Sequence, residues 1–370
     1  MTVARLGGDE FIILMPQLND AEDAFKLGQR ILNVLRVPFI DELREFFVTG
    51  SLGISIFPND GDDGDILIQC ADIAMYRAKH NGRNQLELFA PEMNEMAMDR
   101  LSLENNLRKA LDRGEFKLYY QPQIDLHTGK LFGAEALIRW HSPELGIVQP
   151  LEFIPIAEET GLIVPIGNWV IQEACSQMKK WRDNGYESVR ISINISGRQF
   201  KQTDFVGKIK QALASTDLMP EYLCLEITES TAIDNIDFSI KMLMELMKVG
   251  VQISIDDFGT GYSSLAILKR LPLNMLKIDK SFIDDITFDK KDEAIVKAII
   301  DMSHSIKLRT VAEGVETEDQ LMLLRDQGCD VAQGFLISKP IPPEQFEQHF
   351  LINQGQGAYR YRLFNQDANM

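Results

Sequence analysis

The sequence has no uninterrupted apolar run near the roughly 18 residues needed to span a bilayer, and its N-terminus lacks the basic-then-apolar order of a secretion signal. Both absences predict a soluble chain that makes no membrane contact of its own, placed in the cytoplasm or at the cytoplasmic end of a longer membrane-bound sensor. Cysteine is scarce. Cys70, Cys175, Cys224 and Cys329 are scattered without a C-x-x-C pair and mostly sit in apolar runs, which excludes a disulfide frame and a thiolate zinc site. Positive charge is also short: Lys and Arg total 38 against 55 Asp and Glu, a net charge of −17. Such a surface repels a nucleic-acid polymer. A small phosphate ligand stays compatible, because bound cations reverse the local sign.

What is present is a chain of 370 residues, long enough for two domains. Residues 1 to about 90 combine Gly7-Gly8-Asp9-Glu10 and the apolar Phe11–Leu14 with an amphipathic helix from Ala21 to Val37. An alternating strand from Phe47 to Phe57 and a second helix from Ile66 to Lys79 follow. Between Pro91 and Gly114, Met93, Met96 or Ala97, Leu101, Leu107 and Leu111 recur at helical spacing, a connecting helix over 91–114. From residue 115 to 352 short apolar runs alternate with amphipathic helices. The runs are Lys117–Gln121, Gly133–Arg139, Arg190–Ile195, Tyr222–Ile227, Val251–Asp256, Met275–Asp279, Thr310–Glu313 and Asp330–Gln333. The helices include Ile166–Asn184, Asn235–Val249, Glu293–Ile306 and Glu318–Gln327. Alternation of this kind implies parallel strands covered by helices, and about eight units point to an α/β fold closed as a TIM-like (β/α)8 barrel. An open doubly wound sheet is the alternative. The tail, 353–370, carries no legible chemistry and is expected to be loosely ordered.

Nearly every run is apolar until a single polar residue interrupts its C-terminal part: Glu135, Asn194, Glu226, Asp256, Lys277, Glu313 and Gln333. In such a barrel the C-terminal strand ends meet on one face, where active sites are built. A helix cap or a solvent contact competes as the explanation of any one of them. Together, Glu135, Glu226, Asp256, Asp257 and Glu313 gather five negative charges and Lys277 one positive, a cluster that needs raised pKa values or cations. Two divalent cations with Lys277 neutralise it, and the all-oxygen donors favour Mg²⁺, Mn²⁺ or Ca²⁺. Asp256 and Asp257 are adjacent, so on a flat strand they would face opposite ways. A turn at the strand's end lets each reach a different ion. A two-cation site suits in-line hydrolysis of a phosphodiester. Gly259 and Gly261 permit a tight loop beside it, with an ordinary strand-to-helix turn as the alternative.

Several stretches from about residue 100 to 350 carry a resemblance in the same order: Tyr120-Gln121-Pro122, Glu135-Ala136-Leu137-Ile138-Arg139-Trp140, Ile193-Asn194, Leu225-Glu226-Ile227-Thr228-Glu229, Asp256-Asp257-Phe258-Gly259-Thr260-Gly261-Tyr262, Lys277-Ile278-Asp279, Ala312-Glu313-Gly314-Val315-Glu316 and Gln333-Gly334-Phe335. The chain resembles the EAL-domain phosphodiesterases. The resemblance implies a metal-dependent enzyme that cleaves cyclic di-GMP to linear pGpG, using two Mg²⁺ or Mn²⁺ ions; Ca²⁺, larger and looser in its coordination, is expected to inhibit. It implies one ion on Glu135, Asn194, Glu226 and Asp256, with Asp256 bridging to a second on Asp257 and Glu313. Lys277 would orient the attacking water in a catalytic set with Glu135 and Glu313, and Arg139 would clamp the phosphate. Gln121 and Gln333 would stand on the substrate side or behind the metal-binding groups, with strand-end amides bonded to backbone as the alternative; Glu229 would support the loop after the aspartates and Glu316 would lie near a homodimer contact, with a solvated surface glutamate as the alternative for each. A non-catalytic cyclic di-GMP receptor, signalling through the front segment, is the alternative.

The front segment, 1–90, resembles the GGDEF domain of diguanylate cyclases through Arg5-Leu6-Gly7-Gly8-Asp9-Glu10-Phe11 and Tyr76-Arg77-Ala78-Lys79-His80-Asn81-Gly82-Arg83-Asn84. Only the C-terminal half of that pattern is present. The strand with a metal-binding Asp and the Arg-x-x-Asp inhibitory motif are missing, so the remnant is expected to be inactive as a cyclase. The pattern reads as an early-cut copy of a longer chain, with a natural short chain as the alternative.

Overall fold

A computed structural model describes residues 1–18, 20–41, 44–46, 48–186, 189–259 and 265–352. The loop residues 260–264, Gly261 among them, and the tail 353–370 lie outside the described residues. Two units separate, Met1–Asn105 and Asn106–Met370. Among the described residues no helix is long and apolar enough to cross a membrane.

In the first unit, aspartates start two of the long helices. Asp20 accepts from the N–H of Asp23 at 2.9 Å and Asp63 from that of Ile66 at 2.8 Å, capping helices Ala21–Leu35 and Gly64–His80. The glycine-rich signature forms the tip of an antiparallel hairpin, Thr2–Gly7 with Glu10–Leu14. The long strand expected from Phe47 to Phe57 is corrected: among the described residues of that stretch, 48–57, only Leu52–Ile54 is strand, paired in parallel with Leu86–Leu88. Alternation marks one-sided burial, but a ladder extends only as far as its partner, here three residues. Helix Glu92–Ala110 buries Met93, Leu107 and Ala110, whereas Leu101, expected on the same face, is 60% exposed. The side chains of Met96 and Ala97 lie outside those described.

The second unit holds a closed barrel of eight strands. In chain order they are Phe116–Asp125, Leu131–Ser142, Ile191–Ile195, Leu223–Thr228, Gln252–Phe258, Met275–Ile278, Arg309–Ala312 and Val331–Ala332. From the second strand to the eighth, neighbours run parallel. The first strand does not: it is antiparallel to both the second and the eighth. Its link to the second is a tight turn in which Asp125 accepts from the Gly129 and Thr128 N–H groups, each at 2.8 Å. Without a crossover helix, two joined strands can pair only head to tail.

Helices cover the barrel's outer face. Helix Ile163–Asp183 buries Ile166, Val170, Ala174, Met178 and Trp181, the three-to-four spacing of one apolar stripe. Trp181 stacks on Phe346 with ring centroids 5.0 Å apart and meets Tyr120 of the first strand edge-on at 4.9 Å. With the outward positions filled by apolar side chains, the inward ones are left for polar groups.

Candidate active site

Lys277, on the sixth strand, is only 1% exposed, so its ammonium has left bulk water. Its Nζ stands 2.6 Å from Glu226, 2.6 Å from Glu313, 3.2 Å from Asp256 and 3.4 Å from Glu135. These carboxylates come from the fourth strand, the end of the seventh, the fifth and the second. Strand register brings them together: Asn194 is level with Glu226, and Thr228 with Asp256. Alternation within each strand then turns Glu226 inward while Leu225 and Ile227 face the helices. Glu135 corrects one expectation: it lies within the twelve-residue second strand, level with Gln121 and Ser192, and not at its C-terminal part.

The electrostatics are those of an under-neutralised ring. Burial pushes the Glu226 carboxyl up to about 8; Lys277 opposes the rise, and Glu135 and Asp256 add to it. Glu313 is held well above the usual carboxylate range by burial, with Lys277 again opposing and Asp256 and Glu135 adding. Burial lowers Lys277, but Asp256, Glu135, Glu226 and Glu313 outweigh it and hold the ammonium well above its ordinary value. Four carboxylates around one ammonium favour the arrival of protons or further cations.

The neighbouring aspartates reach the same side through a break in the fifth strand. Its pairing with the sixth slips between Ile255 and Phe258, and Asp257 takes a left-handed backbone with φ +54°. That bulge re-aims a side chain a regular strand would point away. One carboxylate oxygen each from Asp256, Asp257 and Glu313 then lie within 4.8 Å of one another. Burial, followed by Asp256 and Asp279, raises the Asp257 carboxyl. Two residues on, Gly259 has φ +103°, and a Cβ there would come within 2.6 Å of the Phe282 ring. Buried Glu229 accepts from the Gly259 N–H at 2.9 Å, fixing the chain where it enters the loop.

Amides hold Glu135. Asn194 Nδ2 donates to its Oε1 at 2.6 Å and Gln333 Nε2 to its Oε2 at 2.6 Å. Gln333 also donates to Gln121 Oε1 at 3.0 Å, and Gln121 Nε2 donates to the Ser338 carbonyl at 3.0 Å. Sequence reasoning missed Gln123, whose Nε2 donates to Gln333 Oε1 at 2.9 Å. The signal was available: two residues from Gln121 on a strand, it must share that side chain's face.

Arg139 lies four residues beyond Glu135 on the same strand, donating to the Ile138 carbonyl at 2.8 Å, with its guanidinium carbon 5.8 Å from the centre of the Tyr119 ring. Glu316 stands apart, its carboxylate 2.7 Å from Lys280 Nζ at a half-exposed position. The ring fits hard divalent cations: its donors are oxygens, with no thiolate or imidazole among them, and Lys277 already draws four of its side chains around one positive charge.

Compared with known families, residues 104–340 match the EAL domain and residues 1–85 match "Diguanylate cyclase, GGDEF domain". The chain is 45% identical over 344 residues to the "Bifunctional diguanylate cyclase/cyclic di-GMP phosphodiesterase MucR" of Pseudomonas aeruginosa, covering 93% of this chain and 50% of that protein. To "Cyclic di-GMP phosphodiesterase PdeR" of Escherichia coli it is 40% identical over 349 residues, covering 94% of this chain and 52% of that protein. The chain thus spans about half the length of these curated relatives. The solved structure "PaMucR Phosphodiesterase, c-di-GMP complex" is 48% identical, with a TM-score of 0.65, covering 66% of this chain and 99% of that one.

Proposed function

The chain belongs to the EAL domain family, and on that premise we propose that it hydrolyses one phosphodiester of cyclic di-GMP to linear pGpG with the help of two divalent cations, Mg²⁺ or Mn²⁺. The observation that carries the reading is the ring around Lys277, with Asp256, Asp257 and Glu313 gathered on its rim. MucR and PdeR are named cyclic di-GMP phosphodiesterases, which supports the choice of substrate and reaction class.

Glu135, Asn194, Glu226 and Asp256 would hold one cation, and Asp256, Asp257 and Glu313 the other. Bound there, the cations supply Lewis acidity, lowering the pKa of water and neutralising charge on the phosphoryl oxygens. The side chains do the rest. Lys277 donates to the attacking water, setting its line of approach and favouring its deprotonated form. Arg139 offers a planar pair of donors to a phosphate. Gln121 and Gln333 brace the substrate side, and Glu229 steadies the loop. Glu316, on the surface with Lys280, is assigned to a homodimer contact. A cytoplasmic setting suits the four buried, unpaired cysteine thiols.

Incubation with cyclic di-GMP and Mn²⁺, followed by separation of the products, tests the proposal. Linear pGpG is expected; a protein that binds the dinucleotide and leaves it intact is a receptor, and the hydrolytic reading is then wrong.

A further inference from the structure

We propose that Gln123 is a positioning residue: it fixes which way the Gln333 amide faces and thereby holds Glu135 in the orientation that receives a cation. The inference rests on the two-cation reading above. Gln121, Gln123, Gln333 and Glu135 are all buried, at 7, 3, 4 and 4% exposure, so each polar atom among them needs a partner inside the barrel. Gln333 can face Glu135 in two ways. With Nε2 toward the carboxylate it donates at 2.6 Å; turned over, its oxygen would oppose another acceptor. Gln121 constrains one end, since its own Nε2 is engaged by the Ser338 carbonyl and its oxygen is what Gln333 meets. Gln123 constrains the other end by donating to Gln333 Oε1 at 2.9 Å. Among the described hydrogen bonds it reaches Glu135 only through Gln333.

The second strand makes room for this relay. Gln123 pairs across the ladder with Gly133, and a Cβ at 133 would stand 3.0 Å from Gln123 Oε1 and 3.2 Å from the Arg190 carbonyl. The absence of a side chain at Gly133 therefore leaves the Gln123 amide uncrowded. Groups that orient metal-binding side chains from behind typically change metal affinity by about 10–100-fold when lost.

The test uses the full chain with variants Q123L, Q123E, Q333L and Q123L/Q333L. Mn²⁺ affinity is measured by titration calorimetry, kcat and KM with cyclic di-GMP, and folding by thermal unfolding. Q123L is expected to weaken Mn²⁺ binding about tenfold and to lower kcat more than KM, in a folded protein. Q123E is expected to lose more, because its carboxylate competes with Glu135 for the Gln333 amide protons. In the Q333L background, Q123L should add nothing further, since the relay is already cut. Unchanged Mn²⁺ affinity in Q123L, or an equal loss with and without Gln333, overturns the role of Gln123 while leaving the cation site standing. A parent chain that binds no Mn²⁺ overturns both.

Discussion

Lys277 concentrates the energetics of the site in one atom. The variant K277M removes the ammonium from its buried pair with Glu226 and leaves the partly exposed Glu313 without it as well. Removing one partner of such a buried pair costs about 3–5 kcal/mol. Urea unfolding without divalent ions should show that loss, and saturating Mn²⁺ should recover part of it. Turnover should fall by about 10²–10⁴-fold even with Mn²⁺ present, because the water loses its donor. Asp257 poses a different residue-scale question, since its φ of +54° is tolerated by Asp and Asn far better than by Ala. D257N should therefore unfold at nearly the parent's urea midpoint while losing activity, whereas D257A should lose activity and about 1 kcal/mol of stability as well. Equal midpoints for the two would mean that the left-handed turn exerts no strain. The identity of these residues was legible from their place in the runs, but the bulge that turns Asp257 back was not. It arises from pairing with the sixth strand, a partner that local sequence does not name.

Among the elements, the seventh and eighth strands are tied at their base by one carboxylate. Asp330 accepts from the Thr310 N–H at 2.8 Å and the Thr310 hydroxyl at 2.9 Å, and lies 2.9 Å from His304 at the end of helix Lys290–Ser305. Burial acts to raise its pKa, but the Thr310 N–H, His304 and the Thr310 hydroxyl together leave it below the usual carboxylate value. A depressed folded-state pKa means that its stabilisation is complete above the unfolded value of about 3.9 and is lost as pH falls through the lower folded value. D330N should therefore flatten the acid limb of a stability-versus-pH curve and destabilise the neutral protein by about 1–3 kcal/mol. An unaltered acid limb would contradict that linkage. Periodicity reads elements well where burial is one-sided, as in helix Ile163–Asp183. It misleads where a partner is short or a connection is tight. The strand around Leu52 shrank to its three-residue partner, and the first barrel strand reversed direction because a turn, not a helix, leads to the second.

For the whole molecule, the under-neutralised ring predicts that divalent ions stabilise the fold. Any ion that binds only the folded state adds about 2.7 kcal/mol at one hundred times its dissociation constant. Mn²⁺ should raise the unfolding temperature and a chelator should return it. Ca²⁺, larger and looser in its coordination, should also raise it yet support no turnover. Full activity in Ca²⁺ alone, or an unfolding temperature indifferent to both ions, would contradict the cation reading. By itself the sequence determined the alternation of strands and helices, the reduced thiols, the surplus of negative charge and the ordered motifs that mark the family, because each follows from local spacing or simple counting. Only the tertiary structure decided that Glu135, Glu226, Asp256 and Glu313 surround Lys277, that Asp257 turns to join them and that Gln123 stands behind Gln333. Those are contacts between strands up to 210 residues apart, and barrel closure, which no local pattern encodes, sets their register.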